Sequence, residues 1–206
     1  MTPTAAVLLK APRLGTVKTR LAAELGAPRA LAIYRTLAER QLRAIPAGWS
    51  ITVNFAPADA EQELRTWLAA IPRVTAIAYC PQPDGNLGVR IAAAFSEAFA
   101  GGAPFVFALG GDCPDLNASL LEHAANRLAH PDVDAVLGPA ADGGYTLLGL
   151  RAPCPDLFVD VAWSTPQVLF QTRARLRSAG LRTYELPVLN DIDTAADWLR
   201  FTDATP

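Results

Sequence analysis

The chain has 206 residues, of which 51% are hydrophobic, and a formal net charge of −2. That length and apolar content suit one α/β domain over residues 1–206, and the near-neutral balance excludes bulk attraction to nucleic acid or to an anionic membrane surface. Cys80, Cys113 and Cys154 are odd in number and widely spaced, which excludes a disulfide framework and a CxxC zinc knuckle. No apolar run approaches membrane-spanning length or the make-up of a signal peptide, so a cytoplasmic protein is expected.

Strand-like and helix-like segments alternate along the chain. Ala5 to Leu9 is an unbroken apolar run and predicts a buried strand. Pro28 to Ile45 carries Leu31, Tyr34, Leu37, Ala38, Leu42 and Ile45 at helical spacing. Ile51–Phe55 predicts a strand, Ala58–Ala70 a helix with acids in its first turns, and Val74–Tyr79 a third strand. Gly88–Phe99 reads as a helix and Phe105–Leu109 as a strand buried on both faces. Asn117 caps a predicted helix reaching about Ala129. Ala135–Gly138 and Tyr145–Leu150 predict two more strands. Ser164-Thr165-Pro166-Gln167 has capping-box spacing and predicts a helix to Ala179, ended by Gly180. Arg182–Leu186 predicts a short strand and Thr194–Phe201 a closing helix. This alternation implies a three-layer, mostly parallel, Rossmann-like α/β sheet. The segments Cys80–Gly85 and Arg151–Trp163 are the long irregular pieces, and long loops in compact domains are often binding loops or lids.

Four loops carry chemistry. Lys10 to Leu21 follows the first strand and contains Gly15, Lys18 and Arg20. A loop of this type can wrap phosphates with backbone N–H groups and cationic side chains. It is neither a Walker loop nor a GxGxxG turn. Of the 18 basic residues only Lys10 and Lys18 are lysine, and both flank this loop, where a compact ammonium and a planar guanidinium do different work. Gly110-Gly111-Asp112-Cys113-Pro114-Asp115 follows the most apolar strand. Asp112 sits where open α/β sheets bind ligands and is suited to Mg²⁺. Asp115 reads as support for the turn and Cys113 as a packed residue, with no histidine close in sequence to activate it. Asp142-Gly143-Gly144-Tyr145 lies between two strands and can present backbone to a ligand. In Asn190-Asp191-Ile192-Asp193-Thr194-Ala195-Ala196-Asp197, Asp191 and Asp193 point the same way along an extended backbone. Thr194 and Asp197 have capping-box spacing, which leaves one of Asp191 and Asp193 as a second metal ligand. His123 and His130 read as surface or packing residues.

Taken together in this order, with a Val161-Ala162-Trp163-Ser164-Thr165 segment between the third and fourth loops, the motifs resemble a bacterial family of small glycosyltransferases. Its fold is the GT-A (nucleotide-diphosphosugar transferase) fold. The family is related to guanylyltransferases that make phospholactate and molybdopterin dinucleotide derivatives. The resemblance covers about Ala5 to Phe201. It implies a Mg²⁺- or Mn²⁺-dependent transferase using a nucleotide or nucleotide-sugar and a small-molecule acceptor, with homo-oligomerisation compatible. Lys18, Arg20 and Asp112 would be catalytic. Lys10, Gly15, Lys18, Arg20 and Arg90 would bind the nucleotide and its phosphates. Asp142, Gly143, Gly144 and Tyr145 would shape the acceptor or sugar side, and Asp112 with Asp193 would hold the metal. The chain departs from the family pattern at Leu14, Asn86 and Val89. The alternatives are nucleotidyl transfer from an NTP to a phosphorylated or carboxylated acceptor, and a non-catalytic nucleotide-binding module.

Overall fold

A computed structural model describes residues 2–71 and 77–203. The strands are β1 (Thr4–Lys10), β2 (Ser50–Ala56), β3 (Ile77–Pro81), β4 (Val106–Leu109), β5 (Ala135–Pro139), β6 (Tyr145–Leu150) and β7 (Thr183–Glu185). They form one sheet in the order β3-β2-β1-β4-β6-β5-β7. β1 pairs in parallel with both β2 and β4, and β5 in parallel with β7. β6 runs antiparallel between β4 and β5. The sheet is therefore mixed and mostly parallel, as the alternation predicts. The predicted third strand keeps its C-terminal part, while residues 74–76 of it lie outside the described residues.

The unbroken apolar strands are explained by helices on both faces. Ala5, Val7, Leu9, Phe107 and Leu109 point into one core. That core is closed by α2 (Ala27–Ala44), α3 (Glu61–Leu68) and α5 (Ala118–Ala129). Ala6, Val106, Ala108 and Leu148 point into the other, beneath α4 (Leu87–Ala100) and α6 (Val168–Ser178). No helix among the described residues is long and apolar enough to cross a membrane.

Two local readings need correction. The basic loop predicted over Lys10 to Leu21 ends earlier, at Lys18, because a further helix, α1 (Thr19–Leu25), begins there. Its Leu21 is fully buried in a third cluster with Ala30, Ile33, Leu37 and Ile192. Trp198 and Phe201 of α7 (Ala195–Asp203) pack against that cluster. Ser164-Thr165-Pro166-Gln167 is not a capping box. Ser164 takes a left-handed backbone with φ 63, and the Thr165 hydroxyl donates backward to the Ala162 carbonyl at 2.7 Å. α6 starts only at Val168, with no side-chain cap. The Thr194–Asp197 box does form. Asp197 Oδ2 accepts from the Thr194 N–H at 2.8 Å, and the Asp197 N–H donates to Thr194 Oγ1 at 3.2 Å.

Candidate functional site

β1 and β4 are neighbours, and the chain leaves them toward opposite edges of the sheet. Ligands of open α/β sheets bind at such a switch point, beyond the carboxyl ends of the strands. A cleft of about 630 Å³ opens there. At the end of β1, the buried Tyr34 hydroxyl accepts from the Lys10 N–H at 2.9 Å and donates to the Lys10 carbonyl at 2.7 Å. Burial raises the Tyr34 pKa, keeping the phenol neutral in this clamp. The following loop turns through Gly15 and ends at Lys18, whose backbone is left-handed at φ 46, ψ 52. That conformation turns Lys18 inward before α1 begins.

At the end of β4, Gly111 lets the chain cross close over β1. A Cβ at that position would lie 2.5 Å from Leu9 Cδ2. The Asp112 carbonyl accepts from the Ile192 N–H at 3.1 Å, which fastens the loop holding Asp191 and Asp193 to the loop holding Asp112. Asp115 strengthens the same junction by accepting from the Asn190 N–H and side-chain amide. Leu189 extends it to the end of β5, its N–H donating to Pro139 at 2.9 Å. Asp112, Asp191 and Asp193 therefore converge, with one carboxylate oxygen from each within 4.8 Å of the others. Both acids join Asp112, where the sequence left a choice of one.

Lys18 Nζ lies 2.9 Å from Asp112 Oδ2 and 2.8 Å from Asp193 Oδ1, with its side chain only 7% exposed. Arg20 reaches the same Asp193 from the solvent side, at 3.6 Å. Burial alone would lower the Lys18 pKa, but Asp112 and Asp193 outweigh it and hold the ammonium above its ordinary value. Among the described residues, Asp191 has no such cation partner. Burial first, then repulsion from Asp112, Asp142 and Asp193, push its carboxyl up to about 6.

Lys10, Arg90, Asp142, Gly144 and Tyr145 also line the cleft, whereas Gly15 and Gly143 do not. Gly143 acts through packing: at φ 90 it lies against Pro166, leaving no room for a side chain. Asp142 Oδ1 accepts from the Gly144 N–H at 2.8 Å. The Tyr145 hydroxyl is buried without a hydrogen-bond partner among the described residues, and burial raises its pKa. Arg90 Nε is likewise buried and unpartnered. Sequence reasoning missed Gln82, whose amide donates to the Asn54 carbonyl at 2.6 Å at the cleft wall. Its position in the irregular Cys80–Gly85 segment was the signal. Trp163 also lines the cleft, meeting Tyr145 edge-on with centroids 6.5 Å apart. Asn86 and Val89 do not line it. Asn86 caps α4 by accepting from the Val89 N–H at 3.1 Å, a task asparagine and aspartate perform equally. Cys113 is 3% exposed, and burial first of all pushes its thiol up to about 12. That leaves no thiolate for nucleophilic chemistry.

The three carboxylates fit a divalent metal. Their donors are all hard oxygens, as Mg²⁺ and Mn²⁺ prefer, and a cation, the Lys18 ammonium, already stands between two of them.

The family model for DUF2064, described as an uncharacterized protein conserved in bacteria, matches residues 39–165. No curated protein matches the chain. A "putative nucleotide-diphospho-sugar transferase" from Desulfovibrio desulfuricans G20 is 32% identical, superposes with a TM-score of 0.89, and is matched over 100% of this chain and 89% of its own. Two more distant structures share the fold. A cytidylyltransferase from Leptospira borgpetersenii is 13% identical, with TM-score 0.59 and coverage of 96% and 84%. A mannosyltransferase from Pyrobaculum calidifontis, in complex with GDP-Man and Mn²⁺, is 17% identical, with TM-score 0.51 and coverage of 92% and 56%. The match to the family model over most of the chain and the 32% identity over its full length place this chain in the DUF2064 family.

Proposed function

We propose that the chain is a divalent-metal-dependent transferase that moves a glycosyl group from a nucleotide-sugar to a small-molecule acceptor. The observation that carries this reading is the convergence of Asp112, Asp191 and Asp193 with Lys18 at the mouth of the sheet. The description of the 32% identical relative agrees with it. Asp112 and Asp193, with Asp191 beside them, would hold the cation. Bound there, Mg²⁺ or Mn²⁺ would neutralise charge on the diphosphate leaving group. Lys18 and Arg20 supply positive charge to the same phosphates, and Lys10 and Arg90 extend it along the cleft. Such chemistry depends on positioned charge rather than on a protein nucleophile. Asp142, Gly144 and Tyr145 also border the cleft, where sugar or acceptor would lie.

Nucleotidyl transfer is the second reading. Asp112 is followed by Cys113-Pro114 and not by the x-Asp of the D-x-D pair more typical of a glycosyltransferase, which favours this second reading. One experiment separates the two. The chain is screened by thermal shift against nucleotides and nucleotide-sugars with and without Mg²⁺, and products from the best ligands are followed by phosphorus NMR. A ligand at about a hundred times its dissociation constant adds about 2.7 kcal/mol. Nucleoside diphosphate released from a nucleotide-sugar is the expected product. Pyrophosphate released from an NTP would replace the first reading with the second, and stabilisation without turnover would support a binding module.

A further inference from the structure

Among the cations of the first loop, Lys18 faces the acids and not open solvent. Lys18 Nζ is bonded to Asp112 Oδ2 and Asp193 Oδ1 at once. These are two of the three carboxylates suited to a divalent ion. An ammonium bonded to both carboxylates and a divalent ion bound between the same carboxylates oppose each other, because two cations so close repel strongly where solvent is scarce. The lysine is held there by a residue-level device, the left-handed backbone at position 18. Its side chain is a flexible four-carbon stem with a compact charge, so the head can move to a nearby anion without moving α1. The same cleft is lined by Lys18, Arg20, Lys10 and Arg90, a set of positive groups that a diphosphate would enter.

We propose that Lys18 is a tethered counter-ion that fills the divalent-cation position between Asp112 and Asp193 and leaves it when a diphosphate takes up the ammonium. Metal and diphosphate binding are then coupled, and linkage requires each to strengthen the other by the same factor. This proposal rests on the metal-dependent reading above and adds to it an order: the metal site is complete only after Lys18 has turned to phosphate.

The test measures Mn²⁺ binding directly, by electron paramagnetic resonance of free Mn²⁺, on the wild type, Lys18→Met and Arg20→Met. The coupling factor is then read for the wild type and Lys18→Met with UDP, GDP and CDP, after correction for Mn²⁺ bound to free diphosphate. Without nucleotide, Lys18→Met is expected to bind Mn²⁺ about tenfold or more tighter than the wild type, within the usual range of site coupling. Arg20→Met, which removes the same charge from an exposed side chain, is expected to change it about twofold at most. The wild type is expected to gain Mn²⁺ affinity with a diphosphate, and Lys18→Met to lose that gain. Lys18→Gln serves in place of the methionine variant if the latter does not fold. Equal Mn²⁺ affinity in wild type and Lys18 variants overturns the counter-ion role while leaving the metal site standing. An effect of Arg20→Met as large as that of Lys18→Met overturns it too, since general charge would then explain both. If neither the wild type nor a Lys18 variant takes up Mn²⁺, with or without diphosphate, the metal-dependent reading fails and this proposal fails with it.

Discussion

Single residues decide the shape of this cleft through backbone conformation as much as through charge. Lys18 is left-handed without being glycine, and its inward turn is repaid by two carboxylate contacts. Gly143 shows the converse, a residue whose role is to have no side chain. An added Cβ there would meet the Pro166 carbonyl oxygen at 2.4 Å, at a φ of 90. Gly143→Ala should therefore cost about 1–3 kcal/mol through strain alone, and it should loosen the Trp163–Val168 segment from the cleft. Denaturant unfolding of the variant checks this, and wild-type stability would contradict it. Asp112 and Asp115 differ by three positions in sequence and by role in space. One faces Lys18, and the other braces Asn190. The sequence separated the two acids but read Asp115 as support for its own turn, whereas its side chain reaches Asn190, 75 positions away. The burial of Lys18 between acids was not legible, since it depends on a loop from the far end of the chain.

At the scale of elements, the strands were the most legible parts. Ala5–Leu9 and Phe105–Leu109 are apolar without alternation because helices cover both faces of the sheet. α1 was missed because seven residues give two turns, too few for a convincing period, and its burial comes from α2 and α7. The Ser164–Gln167 pattern misled because the Thr165 hydroxyl is taken by the Ala162 carbonyl, and a spacing rule cannot see that competitor. The sheet edge near β7 rests on a different pairing. Asp134, just before β5, accepts from the Arg182 guanidinium at 2.8 and 2.9 Å and from the Arg182 N–H at 3.0 Å. The Arg182 side-chain hydrogen bond, against an opposing effect of burial, lowers the Asp134 carboxyl to about 2. A carboxylate depressed in the fold stabilises above its unfolded pKa and loses that contribution as pH falls. Asp134→Asn should therefore lower stability by about 0.2–1 kcal/mol above pH ~5, since the pair is solvent-screened. The gap to the wild type should narrow as pH falls from about 4 to about 2. Unfolding curves across that range read it directly, and a gap independent of pH would contradict the pairing.

At the scale of the whole molecule, the topology brings together what the sequence keeps far apart. Lys18 and Asp193 are 175 positions apart and 2.8 Å apart in space. They meet because β1 and β4 adjoin at the sheet's centre, and the 189–193 loop returns along the end of β5 to bond Asp112. The order of motifs was enough to anticipate this convergence, but the third carboxylate, the counter-ion and the wall formed by Gln82 and Trp163 required coordinates. The central claim is that this convergence is a metal-dependent site for a nucleotide-bearing donor. It is tested most directly by calorimetric titration of the best nucleotide-sugar from the thermal-shift screen, with saturating Mg²⁺ and with chelator, into the wild type and Asp112→Asn. The account predicts that Mg²⁺ tightens binding to the wild type by about tenfold or more, a typical coupling between two sites, and that Asp112→Asn abolishes this gain while remaining folded. Equal Mg²⁺-dependent tightening in wild type and Asp112→Asn would contradict it.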